Sequence, residues 1–145
     1  MPNSSERAAI KQVGDEFFIL SHLLRKYMDT AMTESGVPLA RSKLLKLLAE
    51  HGPSRVTDLA AYSHTAVRSA TQAVDALERD GLAVRQPDPG DRRASLVTIT
   101  DAGRIAFRAS RKPFMAAYEQ VFGSLSADER AAFLATLAKL RAAAG

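Results

Sequence analysis

The run Gly81–Thr100 (GLAVRQPDPGDRRASLVTIT) constrains this chain more than any other stretch. Glycine alone enters the left-handed backbone region without steric cost, so Gly81 reads as the stop of a preceding helix. Gly81–Pro87 then reads as a strand, Asp88-Pro89-Gly90-Asp91 supplies turn formers in succession, and β-branched Ala94–Thr100 suits a second strand. Two strands about a turn make a hairpin, with Arg92 and Arg93 at its tip. Upstream, Thr65–Asp80 reads as a helix, and Thr57–Tyr62 as a shorter helix with Thr57 as its N-cap. Ser54-Arg55-Val56 is placed to add a short third strand to the hairpin.

The flanks are helical. From Glu6 to Glu34, Ile10, Val13, Phe17, Leu20, Leu24, Met28 and Ala31 recur at intervals of three and four, giving one helix with a long apolar stripe. Residues Pro2–Ser5 are expected to fray, and Gly36-Val37-Pro38 ends the helix. Leu39–Glu50 reads as a second helix with Ala40, Leu44, Leu47 and Leu48 inward, stopped by Gly52-Pro53. After the hairpin, Asp101–Phe122 is helical, and Pro113 predicts a kink or break near Lys112. Ser126-Ala127-Asp128-Glu129 is a capping box that opens a last helix carrying Phe133, Leu134, Leu137 and Leu140. The expected fold class is mainly α with a small β-hairpin wing. A winged helix-turn-helix lobe at 38–100 is flanked by helices at 6–34 and 101–143, all in one domain spanning 1–145. The terminal stripes are too long for so small a lobe to cover, and a second copy of the chain is their simplest cover.

The same residues carry a family resemblance. Asp91-Arg92-Arg93-Ala94-Ser95-Leu96-Val97-Thr98-Ile99-Thr100 matches the D-x-R-x5-[LI]-T wing signature of the MarR (multiple antibiotic resistance regulator) family, and Asp101-Ala102-Gly103 resembles that family's next helix start. Leu77-Glu78-Arg79-Asp80-Gly81-Leu82 looks like its LE-x-x-GL, and Leu59-Ala60 like its LA, all in register. Ser63-His64 departs, standing where the family has an apolar residue and a glycine. The resemblance implies a homodimeric, ligand-responsive repressor on a palindromic operator. It also implies a small-molecule pocket between the dimerisation helices and the lobe, and a bracing role for Asp91 toward Arg93.

The candidate DNA-reading residues follow from helix period. Val67, Ala70, Val74 and Leu77 form the packing face, while Thr65, Arg68, Ser69, Gln72 and Arg79 lie opposite. Arginine suits guanine O6 and N7, and glutamine suits adenine N6 and N7, so Arg68 and Gln72, four apart, can reach successive base steps. Asp75 shares this side and must turn away or pair with Arg79. Arg92 and Arg93 suit a phosphate backbone or a narrow minor groove. Ser42, Lys43 and Lys46 could touch phosphates. Phe17, Leu20, Leu24, Leu44, Leu48 and Tyr118 are candidates for the implied pocket, with Tyr27 and Tyr118 suited to orient a small aromatic or amphipathic effector.

The net charge of +4 permits a nucleic-acid partner without requiring one. Six arginines and six acidic residues cancel between Ser54 and Thr100, so placement of charge must carry the argument. Cysteine is absent, which excludes disulfides, thiolate metal ligands and thiol-based peroxide sensing. No apolar run approaches the roughly 18 residues a membrane helix needs, so the chain is expected to be soluble and cytoplasmic. Enzyme motifs are missing: no phosphate loop, no H-E-x-x-H, no G-x-S-x-G, and His22, His51 and His64 lie on separate elements. No cofactor or metal is expected. The alternatives are a winged-helix interaction module that does not read DNA and, further off, a small enzyme with a site across elements.

Overall fold

The structure is a computed structural model describing residues 1–145. Its elements run α1 (Ser4–Glu34), α2 (Leu39–His51), α3 (Val56–Ser63), α4 (Val67–Arg79), β1 (Ala83–Asp88), β2 (Asp91–Ile99), α5 (Asp101–Phe122) and α6 (Ala127–Ala144). Caps explain most boundaries. Asn3 and Glu6 form a capping box, so α1 begins at Ser4, within the stretch expected to fray. Ser126 and Glu129 make the predicted box at α6. α3 starts one residue early at Val56, with Arg55 at the N-cap, so Thr57 is not the cap. α4 starts at Val67 rather than Thr65.

Helix α4 ends as glycine dictates. Gly81 has φ 74°, its N–H donates to the Glu78 carbonyl at 3.0 Å, and Leu82 N–H donates to Leu77 at 2.8 Å. β1 and β2 then pair antiparallel, Ala83 opposite Ile99 and Pro87 opposite Ser95. The third strand shrinks to a single bridge between Ser54 and Val97, because Val56 already begins α3. Thr100 closes the hairpin onto its surroundings. Its hydroxyl donates to the Gly81 carbonyl at 2.7 Å and accepts from Gly103 N–H at 3.0 Å, capping α5. Gly103 has no room for a side chain: a Cβ there would lie 2.1 Å from the Leu82 carbonyl oxygen.

The main core joins Leu44, Leu45 and Leu48 of α2 and Leu59 of α3 to Val74 and Leu77 of α4, with Ala83, Val97 and Ile99 from the hairpin. On α2, Leu39 and Leu45 are buried while Ala40 is exposed, which corrects the predicted inward face. Val67, predicted on the packing face of α4, is half exposed because it opens the helix ahead of the core. A second cluster, Met28, Met32, Leu39 and Ala117, ties α1 to α2 and α5.

Two features concern the long helices. α5 runs unbroken through Pro113, contrary to the predicted break. Proline's fixed φ is already helical, and Ser110, Phe114 and Ala117 hold both sides of it against α1 and α2. Ser110 donates to the Phe107 carbonyl at 2.7 Å, so the 3.1 Å contact with Ser42 is donated by Ser42. Ser42 is therefore buried at the α2–α5 joint and does not offer itself to phosphate. The apolar stripe of α1 is buried only at Met28 and Met32; Ile10 and Val13 are 64% and 65% exposed, and α6 buries no residue at all.

Candidate nucleic-acid interface

Helices α3 and α4 meet through the turn Ser63–Ala66, and His64 makes that turn. It has φ 53° and ψ 41°, the one residue other than glycine in the left-handed region. His64 N–H donates to the Ala61 carbonyl at 3.2 Å and Thr65 N–H to Ala60 at 3.0 Å. Ser63 Oγ donates to the Leu59 carbonyl at 2.8 Å, leaving it to accept the Thr65 hydroxyl at 2.8 Å. The departure from the family pattern thus leaves the turn with the conformation a glycine would take.

On α4, burial of Ala70, Val74 and Leu77 sets the phase of the helix. Arg68, Gln72, Asp75 and Arg79 follow at intervals of four, three and four, and form the exposed stripe opposite. Thr65 and Ser69 are exposed too, but on the flank of α4 that faces α1 and α2. The structure therefore separates the predicted groove-facing residues into an outward stripe and a flank. It also places Asp75 on the stripe, paired not with Arg79 but with Arg85 of β1.

Ion pairing divides the charges that cancel between Ser54 and Thr100. Arg85 Nη2 meets Asp75 at 2.7 Å and Nη1 meets Glu78 at 3.0 Å, and Arg55 meets Asp88 at 2.6 Å. Asp80 pairs with Arg41 of α2. The contacts with Asp75 and Glu78, the hydrogen bond to Asp75 first, hold the Arg85 guanidinium's pKa above its ordinary value. Arg68, Arg79, Arg92 and Arg93 make no ion pair, and all four are exposed. The stretch Ser54–Thr100, with no net charge, thus presents four free guanidinium groups on α4 and the wing.

The wing is anchored by a residue that sequence reasoning treated only as a turn former. Asp88 Oδ2 accepts from Arg55 Nε and Nη2 at 2.9 and 2.6 Å, and Oδ1 accepts from Gly90 N–H at 2.9 Å. The Gly90 hydrogen bond and then Arg55 hold the Asp88 carboxyl below the usual carboxylate range. Asp91 accepts from the backbone N–H of Arg93 at 2.9 Å and makes no ion pair with its guanidinium. Its bracing acts on the strand, so Arg92 and Arg93 both project freely from β2 rather than from the turn itself. The signal for Asp88 was its position at the start of the turn; its partner Arg55 lies 33 residues away and carried none.

A MarR family model matches residues 38–95, the span from the start of α2 into β2. The uncharacterized HTH-type transcriptional regulator YxaD of Bacillus subtilis is 35% identical over 109 residues, covering 74% of this chain and 76% of that protein. This chain belongs to the MarR family. Among solved structures, a mutant MarR from E. coli complexed with operator DNA superposes with a TM-score of 0.83 at 20% identity, covering 91% of this chain and 95% of that one. Bordetella bronchiseptica BpsR, described for regulation of its DNA binding by 6-hydroxynicotinic acid, gives a TM-score of 0.81 at 23% identity, covering 90% and 98%.

Two adjoining clefts lie between α1 and the lobe of this MarR-family chain. The larger, about 420 Å³, is walled by Arg25 and Asp29 of α1, Lys43 and Leu44 of α2, and His64 and Ser69 beside α4. The smaller, about 180 Å³, is lined by Leu24, Met28, Phe114 and Tyr118 among others, and shares Arg25, Leu39 and Lys43 with the first. Of the predicted pocket residues, Leu24 and Tyr118 line the smaller cleft and Leu44 the larger. Leu48 does not line either, because it is sealed in the main core. Phe17, Leu20 and Tyr27 sit exposed on α1, outside both clefts. Arg25, Lys43 and His64 were missed for this role, since the reading sought apolar residues and these are cations or a turn residue. No helix is long and apolar enough to cross a membrane.

Proposed function

We propose that this MarR-family chain is a sequence-specific DNA-binding regulator that acts as a homodimeric, ligand-responsive repressor. The observation that carries the reading is the segregation of charge: Asp75, Glu78, Asp80 and Asp88 are held in ion pairs, while Arg68, Arg79, Arg92 and Arg93 stay free on the outward helix and wing. Arg68 and Gln72 read base edges in a major groove, and the wing arginines hold the backbone or minor groove alongside. The exposed apolar faces of α1 and α6 take a second copy, which sets two recognition helices on one palindromic operator. An effector with an apolar body and an anionic or polar end suits the larger cleft, whose floor includes Leu39, Leu44 and Ala70 and whose rim carries Arg25 and Lys43. Occupancy there favours a dimer whose α4 helices no longer match the half-site spacing, and DNA is released. The chemistry of the chain is binding, with no catalytic step.

The test compares Arg68→Ala and Arg92→Ala on an operator and on a scrambled duplex at several salt concentrations. Arg68→Ala is expected to lose about 1–3 kcal/mol per half-site on the operator alone. Arg92→Ala is expected to weaken both duplexes by similar factors and flatten the salt slope by about one unit per wing. An unchanged specificity ratio for Arg68→Ala, with an unchanged salt slope for Arg92→Ala, would favour an interaction module instead.

A further inference from the structure

Asp75 and Glu78 pose a physical problem for a helix that approaches DNA. Asp75 belongs to the outward stripe of α4 with Arg68, Gln72 and Arg79, and its side chain is 50% exposed. Glu78 is one turn further on, 42% exposed. Two carboxylates on that surface would repel the phosphates flanking any groove the helix entered. Neither is free. Arg85 reaches back from β1 and takes both: Nη2 donates to Asp75 Oδ1 at 2.7 Å and Nη1 to Glu78 Oε1 at 3.0 Å. Its backbone N–H donates to the other Glu78 oxygen at 3.0 Å, so both oxygens of Glu78 are engaged by one residue. The Arg85 side chain is only 27% exposed, so it spends its guanidinium on these acids rather than projecting toward solvent.

We infer that Arg85 is a positioning residue for DNA binding, an electrostatic mask that neutralises Asp75 and Glu78 and clamps the first wing strand to the recognition helix. The mask makes the free arginines of α4 and the wing the charges that DNA meets. It also fixes the wing relative to α4, since one side chain and its own N–H bind two successive turns of the helix. The inference rests on the proposed reading of DNA and adds to it a residue that touches no nucleic acid.

A double-mutant cycle tests it, with affinity for an operator duplex and a scrambled duplex as readout and a thermal melt of each variant as control. The variants are Arg85→Gln, Asp75→Asn with Glu78→Gln, and all three together; Arg85→Ala is a second way of removing the charge. Arg85→Gln is expected to weaken both duplexes by about tenfold at low salt, and by less as salt screens the exposed carboxylates. Removing the two carboxylates is expected to restore affinity by about tenfold when Arg85 is absent, yet to change it by less than about threefold when Arg85 is present. Equal gains in both backgrounds would show unmasked acids and overturn the mask. So would a combined variant that melts normally yet stays as weak as Arg85→Gln, since Arg85 would then be a direct phosphate contact. A wild-type chain that bound neither duplex would overturn the DNA reading itself, which separates that failure from this one.

Discussion

His64 shows how far one position can depart from a pattern without changing the turn. A β-carbon in the left-handed region costs about 1–2 kcal/mol, part of which glycine would give back as unfolded-state entropy. The turn persists because the Ser63–Thr65 hydroxyl contact and the N–H groups of His64 and Thr65 close the end of α3 around it. Replacing His64 by glycine is therefore expected to stabilise the fold by up to about 1 kcal/mol, read as a rise of about 3 °C in Tm. A fall in Tm would mean that the imidazole contributes more at the cleft rim than its backbone costs. The arginines teach a related lesson. Arg55 and Arg85 carry the same side chain as Arg68 and Arg92, and only their partners make two of them structural and two of them free.

At the scale of elements, the wing depends on one anchor outside itself. Asp88 joins the turn of the hairpin to Arg55 at the N-cap of α3, beside the single bridge from Ser54 to Val97. Because folding lowers the pKa of Asp88, its contribution to stability is fully present above the ordinary carboxylate pKa. It is lost as pH falls through the lower, folded value. Carboxyl chemical shifts of Asp88 followed through an acid titration are expected to titrate below the usual aspartate range, and Arg55→Ala to move the midpoint upward. A midpoint unmoved by Arg55→Ala would leave the Gly90 N–H as the only group holding that carboxylate. The same dependence explains why β1 and β2 were legible from turn residues and β-branching, whereas the third strand was over-read: Val56 had a helix to begin.

For the whole molecule, the proposed dimer rests on the terminal helices. Leu134 is 67% exposed and α6 buries nothing within its own chain, so the element has no packing reason to be helical alone. In the proposed dimer a partner copy supplies one. Truncation after Gly123 removes Phe133, Leu134, Leu137 and Leu140 and is expected to give a monomeric or aggregating protein by sedimentation velocity. A truncated chain that stayed a well-folded dimer would move the interface to α1 and α5 alone.

What the amino-acid order determined by itself was whatever local chemistry specifies. The stop at Gly81, the Ser126–Glu129 box, the hairpin and the period of α1 and α4 each depend on residues within a few positions of one another. The register of LE-x-x-GL with the D-x-R wing made the family legible for the same reason. Tertiary structure decided everything that needed two distant segments. It set Arg85 against Asp75, Arg55 against Asp88 and Ser42 against Ser110, and it gathered Arg25, Lys43 and His64 around one cleft. It also carried α5 through Pro113, where local preference argued for a break. Charge and packing act through space, and the partner of a buried serine or a masked carboxylate leaves no periodic trace along the chain.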